Sequence, residues 1–365
     1  MKFVDEFRNR DLVKPLLRRL HERAATLRRP VAFMEVCGTH TMAMFRHGLR
    51  QLLPPQVRIV SGPGCPVCVT SQRDIDTAVG LADQPDCIVT SFGDMLKVPG
   101  TEASLGSRRA SGRDVRVVYS ILDALAIAAS NPAQRVAHIA IGFETTAPTT
   151  AAALVRARRE KISNFFIHSV HKLVPPALHA LLRNPRGRID GFILPGHVST
   201  IIGVRPYQTI ARRYRTPCVI TGFEATDMLQ GLLMLIEQMQ KKTARVETQY
   251  RRCVHPNGNP IARGLMNEVF VASDTEWRGL GILPKSGLAL RRAYRSFDIL
   301  REVEVVLPRP RPNACQCGEV LQGVILPAAC SLFKKKCTPD KPLGPCMVSS
   351  EGTCAAYYRY GGIRD

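Results

Sequence analysis

The sequence predicts an α/β protein: two homologous parallel-sheet α/β domains facing a central cleft, plus a cysteine-dense C-terminal domain. Three observations predict it. Short apolar runs alternate with helix-compatible stretches, the pattern of strands joined by crossover helices in a parallel sheet. The chain also resembles itself. "PVAFMEVCGTHTMAMFRHGL" (30–49) pairs with "VAHIAIGFETTAPTTAAALV" (136–155), "VRIVSGPGCPVC" (57–68) with "DGFILPGHVST" (190–200), and "PDCIVTSFGDML" (85–96) with "TPCVITGFEATDML" (216–229). Each member is an apolar strand, a Gly- or Pro-bearing loop and a helix start. Finally, the cysteines crowd towards the C-terminus behind the proline-rich lead "LPRPRPNACQCGEVL".

Taken in order, residues 1–30 form a charged helical segment, expected to pack on the C-terminal domain. Residues 31–125 form α/β domain I and carry Cys37, Cys65 and Cys68. Residues 126–235 form α/β domain II. Residues 236–365 change character, with a polar, turn-rich stretch, the lone Trp277 and then the cysteines. In parallel sheets, ligands sit beyond the carboxyl ends of the strands. The loops "CGTHT", "GPGCPVC", "FGDM", "GFETT", "PGHVS" and "GFEATDM" all fall there, so they are expected to converge on the cleft between the two domains.

The N-terminus has no apolar leader, and no run of about 18 uncharged apolar residues could span a membrane. A cytoplasmic location follows as an expectation. In that reducing compartment the 12 cysteines read as metal ligands, redox thiols or buried thiols before they read as disulfides. The formal net charge is +21, but the basic residues are dispersed over helix faces and aromatics make up only 6% of the chain. That distribution argues against nucleic acid, which calls for a concentrated basic surface.

From 315 onwards lie Cys315, Cys317, Cys330, Cys337, Cys346 and Cys354. The spacing Cys317-x12-Cys330-x6-Cys337-x16-Cys354 lacks the paired hooks of zinc knuckles and suits a [4Fe–4S] cluster, where each corner iron takes one thiolate. Cys346 competes with Cys354, and Cys315 with Cys317, for a place in that set. Cys87 and Cys218 sit inside strand patterns, as buried thiols do. Cys65-x-x-Cys68 allows a metal clamp, a redox dithiol or half of a zinc knuckle. With Cys37 in an adjacent loop, three thiols could hold one soft metal with an open position; alternatively Cys65 and Cys68 form a redox pair beside a Cys37 metal site. His40 is expected near the same cleft, as ligand or acid/base.

Together, "EVCGTHT", "SGPGCPVCVT", "FGDM", "GFETTAPTTA", "LPGHVS", "GFEATDML" and the tail "CGEVLQG…PAACSLFKKKCTP…GPCMVSSEGTCAAYYRY" resemble the HypD family of hydrogenase maturation proteins, over about residues 3–360. The resemblance implies two α/β domains and a [4Fe–4S] domain. It implies a complex with a HypC-type chaperone that assembles the Fe(CN)2CO centre of [NiFe]-hydrogenases, with cyanide delivered as a thiocyanate by a HypE-type carrier. By motif, Cys37 would be the iron ligand, Cys65 and Cys68 the redox pair, and the tail cluster the electron source. His40, Asp94, His197 and Glu351 would line that route. A different function class stays open: an iron–sulfur thiol-disulfide oxidoreductase without a mononuclear iron site.

Overall fold

A computed structural model of the chain describes residues 9–311 and 314–361. The strands, in chain order, are β1 (Val31–Glu35), β2 (Val57–Ser61), β3 (Cys87–Ser91), β4 (Val115–Val117), β5 (Arg135–Ala140), β6 (Phe165–Ser169), β7 (Gly191–Pro195), β8 (Cys218–Thr221), β9 (Val246–Thr248), β10 (Phe270–Trp277) and β11 (Gly281–Leu290). Most of the first eight are apolar and buried along their length, as strands covered on both faces by crossover helices must be.

Two parallel sheets form the frame. One has the order β2-β1-β7-β8-β9 and the other β4-β3-β5-β6. The fold class is therefore α/β with parallel-sheet cores. Among the described residues, no helix is long and apolar enough to cross a membrane.

The division into contiguous domains 31–125 and 126–235 needs correction. β1 and β2 pair with β7, β8 and β9, while β3 and β4 pair with β5 and β6. Each sheet thus takes strands from both of the expected domains. The order β2-β1-β7-β8 can be laid on β4-β3-β5-β6 in either direction. In one of them β1 falls on β5, but the pairs β2 with β7 and β3 with β8 occupy corresponding places in neither. The motifs report local strand–loop–helix character, whereas the choice of neighbouring strand is a long-range matter that local similarity does not encode.

Two further expectations differ from the structure. The helix Arg10–Ala25 buries Leu20 and Ala24 against Leu229, Leu232 and Ile236 of the helix Ala225–Gln240, and so covers the five-stranded sheet, not the C-terminal segment. Gln240 Nε2 donates to Thr26 Oγ1 at 2.6 Å and fastens the end of that contact. Residues 236–365 are likewise spread over three places. β9 closes the five-stranded sheet, while Val269, Phe270, Leu288 and Tyr294 pack against the four-stranded one. The cysteine-rich tail rests on the helix Gly38–Arg46, where Phe45 meets Tyr357 edge-on at 5.0 Å.

The antiparallel hairpin β10–β11 ties these parts together. Trp277 is buried, stacks on Phe143 at 6.1 Å and donates its indole N–H to Ser286 Oγ at 2.9 Å. Lys172, 0% exposed, reaches Thr275 Oγ1 at 2.9 Å and Asp74 Oδ2 at 3.2 Å. A buried ammonium needs such partners, because an unpaired charge in the interior is strongly destabilising. Lys172→Ala leaves Asp74 and Thr275 without their cation. It is expected to lower unfolding stability by about 3 kcal/mol in urea denaturation; a loss below about 1 kcal/mol would show that water replaces the ammonium at no cost.

Candidate functional site

Strand order reverses between β1 and β7 in one sheet and between β3 and β5 in the other, so the loops leaving these neighbours diverge and open a crevice at each sheet's carboxyl edge. Both crevices open into one cavity of about 840 Å³. Cys37 follows β1, Asp94 follows β3, Thr145 and Thr146 follow β5, and His197 follows β7. Glu351, from the tail, completes the lining.

The Cys37 loop is held from three sides. Gly38 N donates to Gly64 O at 2.9 Å, joining the "CGTH" and "GPGC" loops. A Cβ on Gly64 would overlap the backbone nitrogen and Cα of Cys37, and one on Gly38 would overlap Glu351. These two glycines permit backbones to approach as no other residue could. Thr39 Oγ1 donates to Glu351 Oε1 at 2.8 Å, and Ser349 Oγ donates to Asp94 Oδ2 at 2.9 Å. The tail segment 349–351 therefore bridges the Cys37 loop and the Asp94 loop.

Burial pushes the Cys37 thiol up to about 12, and the nearby Glu351 carboxylate adds to the rise, against the backbone amides of His40 and Thr39. Without a cation the sulfur holds its proton at neutral pH; a bound metal ion would displace it. Behind the loop, Glu35 is fully buried and accepts from Cys37 N at 3.3 Å and from the Thr41 hydroxyl. Burial raises the Glu35 carboxyl to about 7, opposed by Ser61, Thr41 and the charge of Arg50. Arg50 donates to Ser61 Oγ and to Tyr357 OH, each at 2.9 Å, so this group connects β1, β2 and the tail helix Thr353–Tyr360.

Cys65 and Cys68 lie one loop behind the cavity wall formed by Pro66 and Val67. Both are buried, and Cys68 N donates to Cys65 Sγ at 3.2 Å. Burial holds the Cys68 thiol well above its ordinary value, against a hydrogen bond with Cys346. Cys346 also hydrogen-bonds Cys317 and Cys354, and Cys317 hydrogen-bonds Cys315. Thiols thus run in contact from the cavity wall into the tail. Cys337, buried near Cys315 and Cys354, accepts from Leu343 N at 3.4 Å. Cys330 is half-buried at the end of the turn Pro327–Ala329. Among the described residues, no three His, Cys, Asp or Glu side chains surround a single metal position. The donors that converge in the tail are nonetheless sulfur, the donor chemistry of an iron–sulfur cluster.

The two histidines part company. His197 is exposed on the cavity wall, while His40 is fully buried and absent from the lining. Phe223 stands between them, stacked on His197 at 4.0 Å and on His40 at 4.7 Å. His40 Nε2 lies 3.0 Å from Gly222 O and 2.9 Å from Thr221 Oγ1; bonding the carbonyl makes Nε2 a donor. Burial lowers His40 to about 4, so it is neutral at pH 7.

Cys37, Asp94, His197 and Glu351 are thus brought together, with Cys65 and Cys68 adjoining and His40 separated from the cavity by Phe223. Sequence reasoning passed over Glu35, Phe223, Arg50 and Ser349. Glu35 did carry a signal, as an acid ending the otherwise apolar run "VAFME".

A family model for HypD, described as the hydrogenase formation hypA family, matches residues 11–361. The chain belongs to the HypD family. Similar proteins include the hydrogenase maturation factors HypD of Rhodobacter capsulatus, 45% identical over 374 residues (100% of this chain and 99% of that one), and of Escherichia coli, 45% identical over 371 residues (99% and 98%). The HypD of Azotobacter vinelandii is 46% identical over 372 residues, covering 100% of this chain and 98% of its own.

The close approach of the two loops is testable in this HypD-family chain. Gly64→Ala is expected to cost about 2 kcal/mol, because backbone must move to admit the methyl. Gly264→Ala, exposed within the helix Pro260–Val269 with open space around it, should stabilise by about 0.5–1 kcal/mol. Thermal or urea denaturation of the two variants reads both signs; equal effects would contradict the packing described.

Proposed function

We propose that this chain is a redox scaffold that, with a HypC-type chaperone, assembles the Fe(CN)2CO centre of a [NiFe]-hydrogenase and receives cyanide from a HypE-type carrier. The observation that carries this reading is the placement of Cys37 on a cavity that Asp94, His197 and Glu351 also line, with Cys65 and Cys68 directly behind its wall. Iron, as cargo, takes the Cys37 sulfur as a soft ligand. The displaced proton has a nearby acceptor in Glu351, the carboxylate whose charge acts on that thiol. Cys65 and Cys68 would hold the same iron only if the Pro66 wall moved, so their role here is redox.

Cyanide leaves a thiocyanate carrier when the S–CN bond takes up two electrons, giving the carrier thiolate and cyanide. Cys65 and Cys68 supply both electrons by passing from two thiols to a disulfide, with release of two protons. One proton restores the carrier thiol; Asp94 and His197, on the cavity wall, hold the other or face the charge of the departing cyanide. Exchange with Cys346, the tail thiol beside Cys68, moves the disulfide to Cys68–Cys346 and frees the Cys65 thiol; two electrons and two protons from outside then return Cys68 and Cys346 to thiols. The tail's sulfur donors fit a [4Fe–4S] cluster, held by Cys317, Cys330, Cys337 and Cys354, which when bound would supply single electrons to these thiols.

The unbroken run of buried thiols also favours a second reading, a thiol-disulfide oxidoreductase with no mononuclear iron. Cys37→Ala separates the two. The scaffold reading expects loss of the non-cluster iron and of hydrogenase maturation in cells, with the tail's iron–sulfur absorbance kept. Cys68→Ser should keep the iron and stop maturation. A Cys37→Ala protein that still supports maturation would overturn the scaffold role and leave the oxidoreductase.

A further inference from the structure

We propose that the tail loop between Cys330 and Cys337, together with Lys341, is the docking surface for a small acidic one-electron carrier protein. This rests on the redox reading above and adds its missing reductant: a two-electron thiol cycle needs two single electrons from outside. Lys334, Lys335 and Lys336 are consecutive and exposed, and Lys341 is exposed a few residues on. Asp340 is the single acid on the same stretch. Like charges crowded this way repel one another, so the patch favours a partner of opposite sign.

The patch is also shaped. Lys334 has the left-handed backbone (φ 59°), and its ammonium lies over two rings, 5.7 Å from Phe333 and 5.9 Å from Tyr358. That fixes where one charge points. Ala328 and Ala329 are exposed beside it, and Leu343 is 37% exposed. A small apolar centre with a charged rim is the build of weak redox encounters, where charge sets the rate of approach more than the strength of holding.

The position serves electron entry. Cys330, half-buried and four residues before Lys334, is less enclosed than Cys337, Cys346 and Cys317, so it is a more open tail sulfur standing beside the lysines. A reduced carrier bound there gives up one electron and leaves oxidised. Two such encounters, with two protons, return one disulfide to two thiols. The alternative occupant of a basic loop, single-stranded RNA, is disfavoured because Phe333 and Tyr358 are already engaged by Lys334 and by each other at 6.3 Å.

The test uses the full chain purified without oxygen and a plant-type [2Fe–2S] ferredoxin as the acidic probe. Binding is followed by calorimetry or interferometry at low and at physiological salt. Wild type should bind the ferredoxin, and binding should weaken roughly tenfold as salt is raised to about 0.15 M. The triple variant K334E/K335E/K336E should lose binding by roughly tenfold or more while keeping the iron–sulfur absorbance and circular dichroism of the wild type. The control R212E/R213E, exposed on the helix Arg205–Tyr214, should bind as wild type does. Unchanged binding in the triple variant, equal loss in the control, or displacement of ferredoxin by single-stranded RNA would each overturn the inference. The two layers fail separately. A wild type with iron–sulfur absorbance whose ferredoxin binding ignores the lysines removes only the docking surface; a wild type without that absorbance removes the redox reading and the docking surface together.

Discussion

Between β1 and β7, and again between β3 and β5, neighbouring strands send their loops in opposite directions, and the two resulting crevices face one another. This constraint of parallel-sheet topology locates everything chemical in the molecule. Cys37 and His197 come from the two sides of one crevice, Asp94 and Thr146 from the two sides of the other. The tail then closes the arrangement through Glu351, which touches the first crevice at Thr39, and Ser349, which touches the second at Asp94. Short backbone-to-backbone contact at Gly38 and Gly64 is what lets three chain segments meet within one loop's width.

The chemistry follows from how little water reaches these groups. Burial, the largest influence on each, keeps Cys37 protonated with help from the Glu351 charge, His40 neutral and Glu35 raised to about 7. A thiol in that state is inert until a cation arrives, which suits the proposed transient loading of iron. The buried run Cys65, Cys68, Cys346 and Cys317 is shielded in the same way, and its members are in contact with each other more than with solvent. Arg50 and the hairpin β10–β11 act as struts. Arg50 joins β2 to the tail helix, while Arg278 donates to Thr70 O at 2.9 Å beside the Cys65–Cys68 loop.

Much of this was legible in the sequence because it is local. Apolar runs ending in Gly- or Pro-bearing loops announce strands and place Cys37, Asp94 and His197 at strand ends, where parallel sheets put ligands. The lone strand cysteines Cys87 and Cys218 are buried as their surroundings imply. What escaped is long-range. Pairing of β7 with β1 joins residues more than a hundred positions apart, and the internal repeat pointed to contiguous units instead. His40 and His197 looked equivalent, yet the turn that begins the helix Gly38–Arg46 carries His40 inward beneath Phe223. Cys346, ambiguous by spacing, proves to be the tail thiol in contact with Cys68, a relation no spacing rule contains.

The most direct test of the proposed Cys37-centred iron scaffold is anaerobic infrared spectroscopy of this chain purified with a HypC-type chaperone. Bands in the cyanide and carbonyl stretching region, lost in Cys37→Ala, are the expected result. A spectrum silent in that region, with iron and sulfide present only in the proportion of a cluster, would contradict it and leave the Cys65–Cys68 pair as a dithiol switch with no iron beside it.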